Sequence, residues 1–153
     1  MRNWLPAVLV SLLATGLLPA AAEGRKIEVR FVSQVAPEGL GEIVMATDEL
    51  RSDPFALPLN FLIERQPAPG RAFRLELKDK PTVLAKIAFP EKGSDFIVLL
   101  VPGVEGGFEP VVIPSGDGSF RPGDYYVHNV SARTVAGMVG TTKFVIRPRQ
   151  GQV

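Results

Sequence analysis

The chain contains one histidine, His128, and no cysteine, so few of its side chains could support nucleophilic or metal chemistry. A Ser-His-Asp arrangement needs a nucleophile beside the histidine, and no Gly-x-Ser-x-Gly elbow is present. A zinc site with one histidine would need several carboxylates, which is unusual for that ion. On an extended strand, His128 would share a face with Tyr126 and Val130. We therefore expect a strand-face histidine, and no catalytic, metal-binding or cofactor-binding residue.

Asp117 and Asp124 are the carboxylates whose placement on adjoining loops could suit glycoside hydrolysis. That chemistry needs a cleft that brings two carboxyl groups together and a raised pKa for one of them. Calcium would need several oxygen ligands packed on one loop, and Asp117-Gly118-Ser119 lacks the repeated Asp-x-Asp pattern. We interpret both aspartates as turn residues.

Two other motifs match functional ones by their letters. The loop from Gly103 to Gly107 is glycine-rich, but no Lys-Ser or Lys-Thr follows it and no helix is predicted there, so a phosphate site is not indicated. Asn129-Val130-Ser131 has the form of an N-glycosylation sequon. We interpret it as the end of a strand.

Residues 1–22 have the order of a secretory signal peptide. Arg2 supplies a positive start, an apolar run extends from Leu5 to Leu18, and Ala20 and Ala22 provide the small residues that signal peptidase requires. A membrane-spanning helix needs about 20 apolar residues, more than this run contains. We expect cleavage after Ala22 and export to the periplasm or beyond the cell, with no membrane contact after cleavage.

The remaining residues, 23–153, have the length of one domain with its own core. Without cysteine, such a domain has no disulfide and depends on its buried core for stability. Removing residues 1–22 removes one basic residue and no acidic one, which leaves equal numbers of both. This balance argues against nucleic acid as a partner. From Tyr125 onward there are four basic residues and no acidic one, which we interpret as a solvated face.

Glycine and proline, 15 and 14 residues, fall between short apolar runs, as turns do in all-β proteins. Phe96 to Val101 contains no polar residue, so it should be a central strand covered on both faces. Residues 48–52 could form one helical turn, and Gln66 to Gly70 should be a loop. The runs predicted as strands are 27–31, 42–47, 55–63 (an edge strand or two pieces), 73–77 and 83–89 (a hairpin), 96–101, 111–113, 125–130, 135–139 and 143–147.

Three motifs follow one another in residues 94–149: the apolar run from Phe96 to Pro102, the segment Phe120 to Ser131, and the hairpin Val135 to Pro148 with its central glycine. Together they resemble a group of small exported bacterial β-proteins with a Pro-x-Gly-x-Tyr turn, then Asn-x-Ser, then an apolar hairpin. No activity is assigned to that group, so the resemblance implies no functional residue.

The turn Pro122-Gly123-Asp124-Tyr125 also occurs where prealbumin-like and immunoglobulin-like strands begin, with the tyrosine packed at a corner of the sandwich. We therefore expect an all-β fold, either an antiparallel β-sandwich of one of these two types or a partly open barrel. Its expected function is non-catalytic: a binding or accessory module that contacts another envelope or secreted protein through a strand edge or loop end.

Two other functions remain open at this point. A small carboxylate-dependent hydrolase would need a cleft that unites Asp117, Asp124 and His128. A carrier of apolar ligands would need a barrel with an unfilled interior.

Overall fold

The computed structural model describes residues 26–153 except Glu105, Asp117 and Ser119. The predicted signal peptide, residues 1–22, lies outside this part. Every regular element described is a β-strand, and no helix in this part has the length and apolarity needed to cross a membrane. The strands are β1 (Glu28–Ser33), β2 (Glu42–Ala46), β3 (Phe55–Ala56), β4 (Gln66–Pro67), β5 (Ala72–Leu77), β6 (Val83–Ala88), β7 (Asp95–Pro102), β8 (Phe108–Pro114), β9 (Val127–His128), β10 (Val135–Val139), β11 (Thr142–Ile146) and β12 (Gly151–Gln152).

The first eight strands form two four-stranded sheets, neither of which closes into a barrel. The first sheet has the order β4-β1-β7-β8 and the second β3-β2-β5-β6. The all-β prediction is confirmed, but the fold is not wholly antiparallel, because β1 and β7 are parallel, with Val29 opposite Phe96. Parallel neighbours need a long crossover. Here the crossover is residues 34–94, which contain the whole second sheet, and the short-range strand pattern could not reveal it.

The alternating strands direct one face of each sheet into a shared apolar core. The predicted hairpin is β5 with β6, and its inward side chains meet those of β7 from the other sheet. The rings of Phe89 and Phe96 stack with centroids 4.3 Å apart. Side chains therefore fill the space between the sheets. The buried members are Val29, Phe31, Ile43, Met45, Phe73, Leu75, Ala85, Ile87, Phe89, Phe96, Val98, Leu100 and Phe108.

Strand β7 is internal in its sheet and covered on both faces, as its unbroken apolar run predicted. Phe96, Val98 and Leu100 point into the shared core. Ile97, on the opposite face, belongs to a second buried cluster against which Phe120 and Tyr126 pack. The chain after β8 therefore covers part of the outer face of the first sheet.

The predicted helical turn at residues 48–52 does not form. The Thr47 N–H donates to the Leu50 carbonyl at 2.8 Å, and Ala46 bridges to Arg51, so the segment is a tight reverse turn. The Thr47 hydroxyl also accepts the Leu50 N–H at 3.0 Å, so the side chain helps to close the turn. A single turn of helix fixes several dihedrals for one hydrogen bond, so the reverse turn is favoured.

Pro58 divides the apolar run 55–63 into two pieces, one of the two predicted outcomes. Phe55–Ala56 forms the edge strand β3 of the second sheet, and after Pro58 the chain reaches the first sheet, where Leu59 bridges to the end of β1. Gln66–Pro67, predicted as a loop, is the edge strand β4. An edge strand needs donors on one side only, so it tolerates proline.

The C-terminal strands lie outside the two sheets. The predicted strand 125–130 is reduced to β9, which pairs with β12 in antiparallel fashion. The predicted hairpin is confirmed as β10 with β11, joined by the two-residue loop Gly140-Thr141. Gly140 has φ +59°, as tight hairpin loops require.

Candidate functional site

We call residues 125–153 the C-terminal ribbon. Its lower part, β9 paired with β12, lies against the first sheet through Tyr126, which packs on the cluster of Ile97, Val111 and Ile113. Its upper part is the hairpin β10–β11. Among the described residues, no strand of either sheet pairs with that hairpin.

Asn129 joins the two parts of the ribbon. Its side chain is buried, and its amide nitrogen donates to the carbonyls of Arg133 at 2.7 Å and Ile146 at 3.1 Å. These carbonyls stand just before β10 and at the end of β11. The Asn129 amide oxygen accepts the N–H of Ser131 at 3.0 Å and its hydroxyl at 2.8 Å. An amide side chain can make four hydrogen bonds, and Asn129 makes all of them.

The Asn-x-Ser motif is therefore a structural joint, because its two polar side chains bond to each other and to the ends of the hairpin. The same nitrogen that a glycan would occupy is buried and donates two hydrogen bonds. The sequence placed this motif at a strand end, which the structure confirms, since Asn129 follows β9 directly.

The turn before the ribbon has the predicted form. The Asp124 N–H donates to the Arg121 carbonyl at 3.0 Å, with Pro122 and Gly123 between them and Gly123 at φ +96°. The tyrosine after this turn does not pack at a corner as expected, since Tyr125 is 70% exposed. Its neighbour Tyr126 packs on the sheet instead, because alternation along an extended chain sends the two rings to opposite faces.

His128 lies against the ring of Tyr126, with ring centroids 6.3 Å apart and planes 14° from parallel. The two side chains lie on the same side of the extended chain at β9, as predicted. Gly151 is opposite His128, and a side chain there would collide with the Tyr126 hydroxyl. The His128 Nδ1 is buried and has no hydrogen-bond partner among the described residues.

Burial lowers the pKa of His128 below its ordinary value of 6.5, because the charged imidazolium loses solvation. Glu109 opposes this shift and Arg149 adds to it. Those two side chains form an ion pair with each other, Arg149 Nη1 to Glu109 Oε2 at 2.6 Å. With His128 they line a shallow groove of about 280 Å³.

Of the two aspartates considered for hydrolysis, only Asp124 is described, and it does not line the groove that contains His128. Asp124 lines a different groove, of about 480 Å³, and His128 is not part of its lining. Asp117 lies outside the described residues. In the described part of the chain, no group of three or more His, Asp or Glu side chains is positioned to hold a metal ion.

The glycine-rich loop 103–107 connects β7 to β8, and its described glycines have a structural use. Gly107 has φ +66°, and a Cβ there would lie 2.5 Å from the carbonyl oxygen of Leu84 on β6. The loop therefore needs a residue without a side chain where the two sheets meet.

The groove of about 480 Å³ lies beside the hairpin loop, and apolar side chains of the ribbon line much of it. They come from β9, from both strands of the hairpin and from the chain end: Tyr125, Val127, Val139, Phe144 and Val153. Phe144 lies directly across the hairpin from Gly137, and its ring covers the position that a side chain of Gly137 would occupy. One face of the hairpin thus belongs to the ribbon's own packing.

The other face of the hairpin is exposed. Cross-strand register places Ala136 opposite Val145 and Met138 opposite Lys143 on this face. Met138 is 62% exposed and Val145 66% exposed. These side chains form an apolar strip that the described part of the chain does not cover.

The hairpin also has two free edges. Among the described residues, β10 pairs only with β11 and β11 only with β10, so neither outer edge has a partner strand. The N–H and C=O groups along such an edge can pair with an added strand. Sequence reasoning predicted the hairpin but not its separation from the sheets.

The basic residues of the ribbon are concentrated around this hairpin. Arg133 precedes β10, Lys143 lies on β11 and Arg147 follows β11, and all three are exposed. The fourth, Arg149, pairs with Glu109 on the sandwich. The residues interpreted as a solvated face thus surround the free edges. Lys143 and Arg147 are four positions apart, so they would share one face of an extended chain, and this spacing was the available signal.

Ionic groups on the two sheets form local networks instead of an open site. Asp95 accepts a hydrogen bond from the Ser115 hydroxyl at 2.6 Å and pairs with Arg65 at 2.9 Å. On the second sheet, Glu76 pairs with Arg74 at 2.9 Å and with Arg51 at 3.8 Å. The carboxylates of Asp95 and Glu76 are largely buried, and these pairs neutralise their charge.

Comparison with models of protein families, with curated proteins and with solved structures gave no match to this chain.

Proposed function

We propose that this protein is an exported, non-catalytic binding module of the bacterial envelope, and that it binds another exported protein by accepting an extended segment at the hairpin β10–β11. The observation that carries the proposal is the hairpin itself, with two unpaired edges and an exposed apolar face in the described structure. Strand addition at a sheet edge supplies backbone hydrogen bonds for affinity, and the alternate side chains supply specificity.

The way the hairpin is held supports this role. A two-stranded hairpin alone is only marginally stable in water. Asn129 fixes its base, and Tyr126 fixes the lower ribbon to the first sheet. The edges are therefore presented by a rigid support, which lowers the entropy cost of binding.

We also propose that the two sheets form a prealbumin-like sandwich, one of the two types expected from the sequence. In the immunoglobulin arrangement the first two strands share a sheet. Here β1 and β2 lie in different sheets, which favours the alternative.

The test is site-specific photo-crosslinking in cells that express the full chain. A photoreactive amino acid replaces Lys143 or Val145 on the hairpin, or Lys86 or Ala88 on the exposed face of the second sheet as matched controls. We expect one discrete adduct with another exported protein from the hairpin positions and none from the controls. Mass analysis of the adduct should find the chain beginning after Ala22.

Two results would count against the proposal. Equal adducts from the hairpin and from the second sheet would mean that the hairpin is not a specific surface. A chain that still carries Met1 in the exported fraction would contradict cleavage of residues 1–22.

A further inference from the structure

We infer that the occupant of the hairpin is an acidic segment that adds to the outer edge of β11, with acidic, apolar and acidic side chains at alternate positions. The inference rests on the proposed function, since it names the partner chemistry of that same surface. It comes from three features of β11: the direction of its backbone groups, the order of its side chains and its charge.

The backbone direction follows from the two-residue loop. The pair that closes such a loop, Val139 and Thr142, exchanges hydrogen bonds across the hairpin. Antiparallel pairs alternate, so Phe144 also points its N–H and C=O toward β10. The backbone groups of Lys143 and Val145 therefore point to the free edge, where an added strand would find them.

The side chains along this edge alternate in kind. Lys143 and Val145 share the exposed face of β11, and Arg147 follows the strand after Ile146. A strand alongside would place its own residues opposite these at a spacing of two. Opposite charges at directly facing positions stabilise the pair, and an apolar residue opposite Val145 would cover its exposed side chain.

Charge favours an acidic segment over a second copy of this chain as the occupant. Residues 125–153 contain no acidic side chain, so the ribbon supplies no negative partner for Lys143 or Arg147. In the register that pairs Val145 with Val145, two copies of this chain joined at the β11 edge would place Lys143 opposite Arg147, which is destabilising. An acidic segment neutralises the same groups.

The experiment uses the chain without residues 1–22 and a seven-residue peptide, Thr-Glu-Thr-Val-Thr-Glu-Thr, capped at both ends. Because this sequence reads the same in both directions, it places glutamates around a central valine in either orientation. Binding is followed by NMR through the amide signals of Lys143 and Val145. A peptide with lysine in place of both glutamates is the matched control.

We expect the glutamate peptide to shift these two amide signals and the lysine peptide to leave them unmoved. Lys143→Glu should weaken the glutamate peptide by about threefold to fivefold, the size of one cross-strand charge pair. The same variant should gain affinity for the lysine peptide. Added salt should weaken the wild-type complex, because exposed charges are screened.

Proline variants identify the edge. Val145→Pro removes an N–H that points outward, so the hairpin ladder survives and binding should fall by about tenfold or more, since added strands depend on such bonds. Binding to this variant is followed through the amide signal of Lys143 alone, because proline has none. Ala136→Pro does the same at the outer edge of β10 and should leave binding unchanged. The amide signals of the two sheets report whether each proline variant is folded. Lys143→Glu tests the same edge without altering the backbone.

The outcomes distinguish strand addition at the hairpin from the preference for an acidic segment at β11. If both peptides bind alike and Val145→Pro abolishes both, strand addition stands and the acidic preference is overturned. If the glutamate peptide still binds Val145→Pro but not Ala136→Pro, addition at β11 is overturned and strand addition at the hairpin stands. If it binds both proline variants, strand addition is overturned as well. Binding to phosphatidylglycerol vesicles in place of the peptide would overturn a protein partner.

Discussion

The two sheets and the C-terminal ribbon differ in how they use the same kind of strand. In the sheets, every strand belongs to a four-stranded ladder, and the inward apolar side chains of both sheets meet in one shared core. In the ribbon, strands pair two by two, and one face of the hairpin carries exposed Met138 and Val145. The difference separates a part that provides stability from a part that remains available for contact.

This division predicts that mutations in the two regions have different consequences. A change in the sheets should affect the folding of the whole molecule, because the core is shared. A change in the ribbon should affect the hairpin locally and leave the core intact. Three measurements test the division, in order of decreasing effect.

The largest effect is expected for Phe96→Ala. Phe96 is fully buried between the sheets and stacks on Phe89, so its removal leaves a cavity. We expect a loss of about 3–5 kcal/mol in the free energy of unfolding, measured by urea denaturation. Val145→Ala, the control on the exposed face of the hairpin, should change it by no more than about 0.5 kcal/mol. Similar losses for both variants would mean that the ribbon is part of the cooperative core.

An intermediate effect is expected for Asn129→Ala. The carbonyls of Arg133 and Ile146 would lose their side-chain donor, a cost of about 1–3 kcal/mol. We expect the amides of β10 and β11 to exchange with solvent about 10- to 100-fold faster, while those of β5 and β7 stay protected.

Ser131→Ala is the control for Asn129, because it keeps both amide donors of the joint and removes one hydroxyl. Its effect on the hairpin amides should be clearly smaller. Uniform acceleration of exchange in both regions after Asn129→Ala would show that the joint supports the sheets as well, and the proposed division would then be wrong.

The smallest effect is expected for the pH dependence of folding stability that comes from His128. Burial lowers its pKa in the folded chain, so the unfolded chain binds the proton more readily. Stability is then complete above the ordinary value of 6.5 and falls as the pH drops from there through the lowered pKa of the folded state. Glu109 limits the size of the step, because it favours the charged form.

The measurement compares urea midpoints of the wild type and His128→Gln between about pH 7 and pH 5, the range in which histidine titrates. The fall in urea midpoint with decreasing pH should be larger in the wild type than in the variant. Subtracting the two curves removes the contributions of carboxyl groups, which both proteins share. The same variant should retain crosslinking at Val145. A variant that folds normally but loses the adduct would make His128 part of the binding surface.

The local sequence pattern predicted the strands in which apolar and polar residues alternate, and the strand that has no polar residue. The hairpins of β5 with β6 and of β10 with β11 were predictable, because each pairs strands that are close in sequence. The doubly covered β7 was predictable because its run of apolar residues is unbroken. The turn at Pro122-Gly123 was predictable for the same reason, since proline and glycine fix its dihedrals. The motif at Asn129 was correctly placed at a strand end, but its hydrogen bonds were not foreseen.

Pairings between distant segments could not be derived in this way. The parallel contact of β1 with β7 spans the entire second sheet, and Gln66–Pro67 becomes a strand only because β1 offers it an edge. Residues 48–52 were assigned a helical turn on local composition, whereas the bridge between Ala46 and Arg51 favours a reverse turn. In the first two cases pairing with a distant segment outweighed local preference, and in the third a bridge between residues five positions apart did so.

The amino-acid sequence by itself determined the class of fold, the apolar strands and the excess of basic residues after Tyr125. These depend on composition and on a period of two, which are local properties. Only the tertiary structure decided which strand edges are covered and which remain free, because coverage depends on where the chain returns after long connections. Because the chain returns in this way, the mildly basic hairpin β10–β11 keeps two unpaired edges, and Asn129 holds its base.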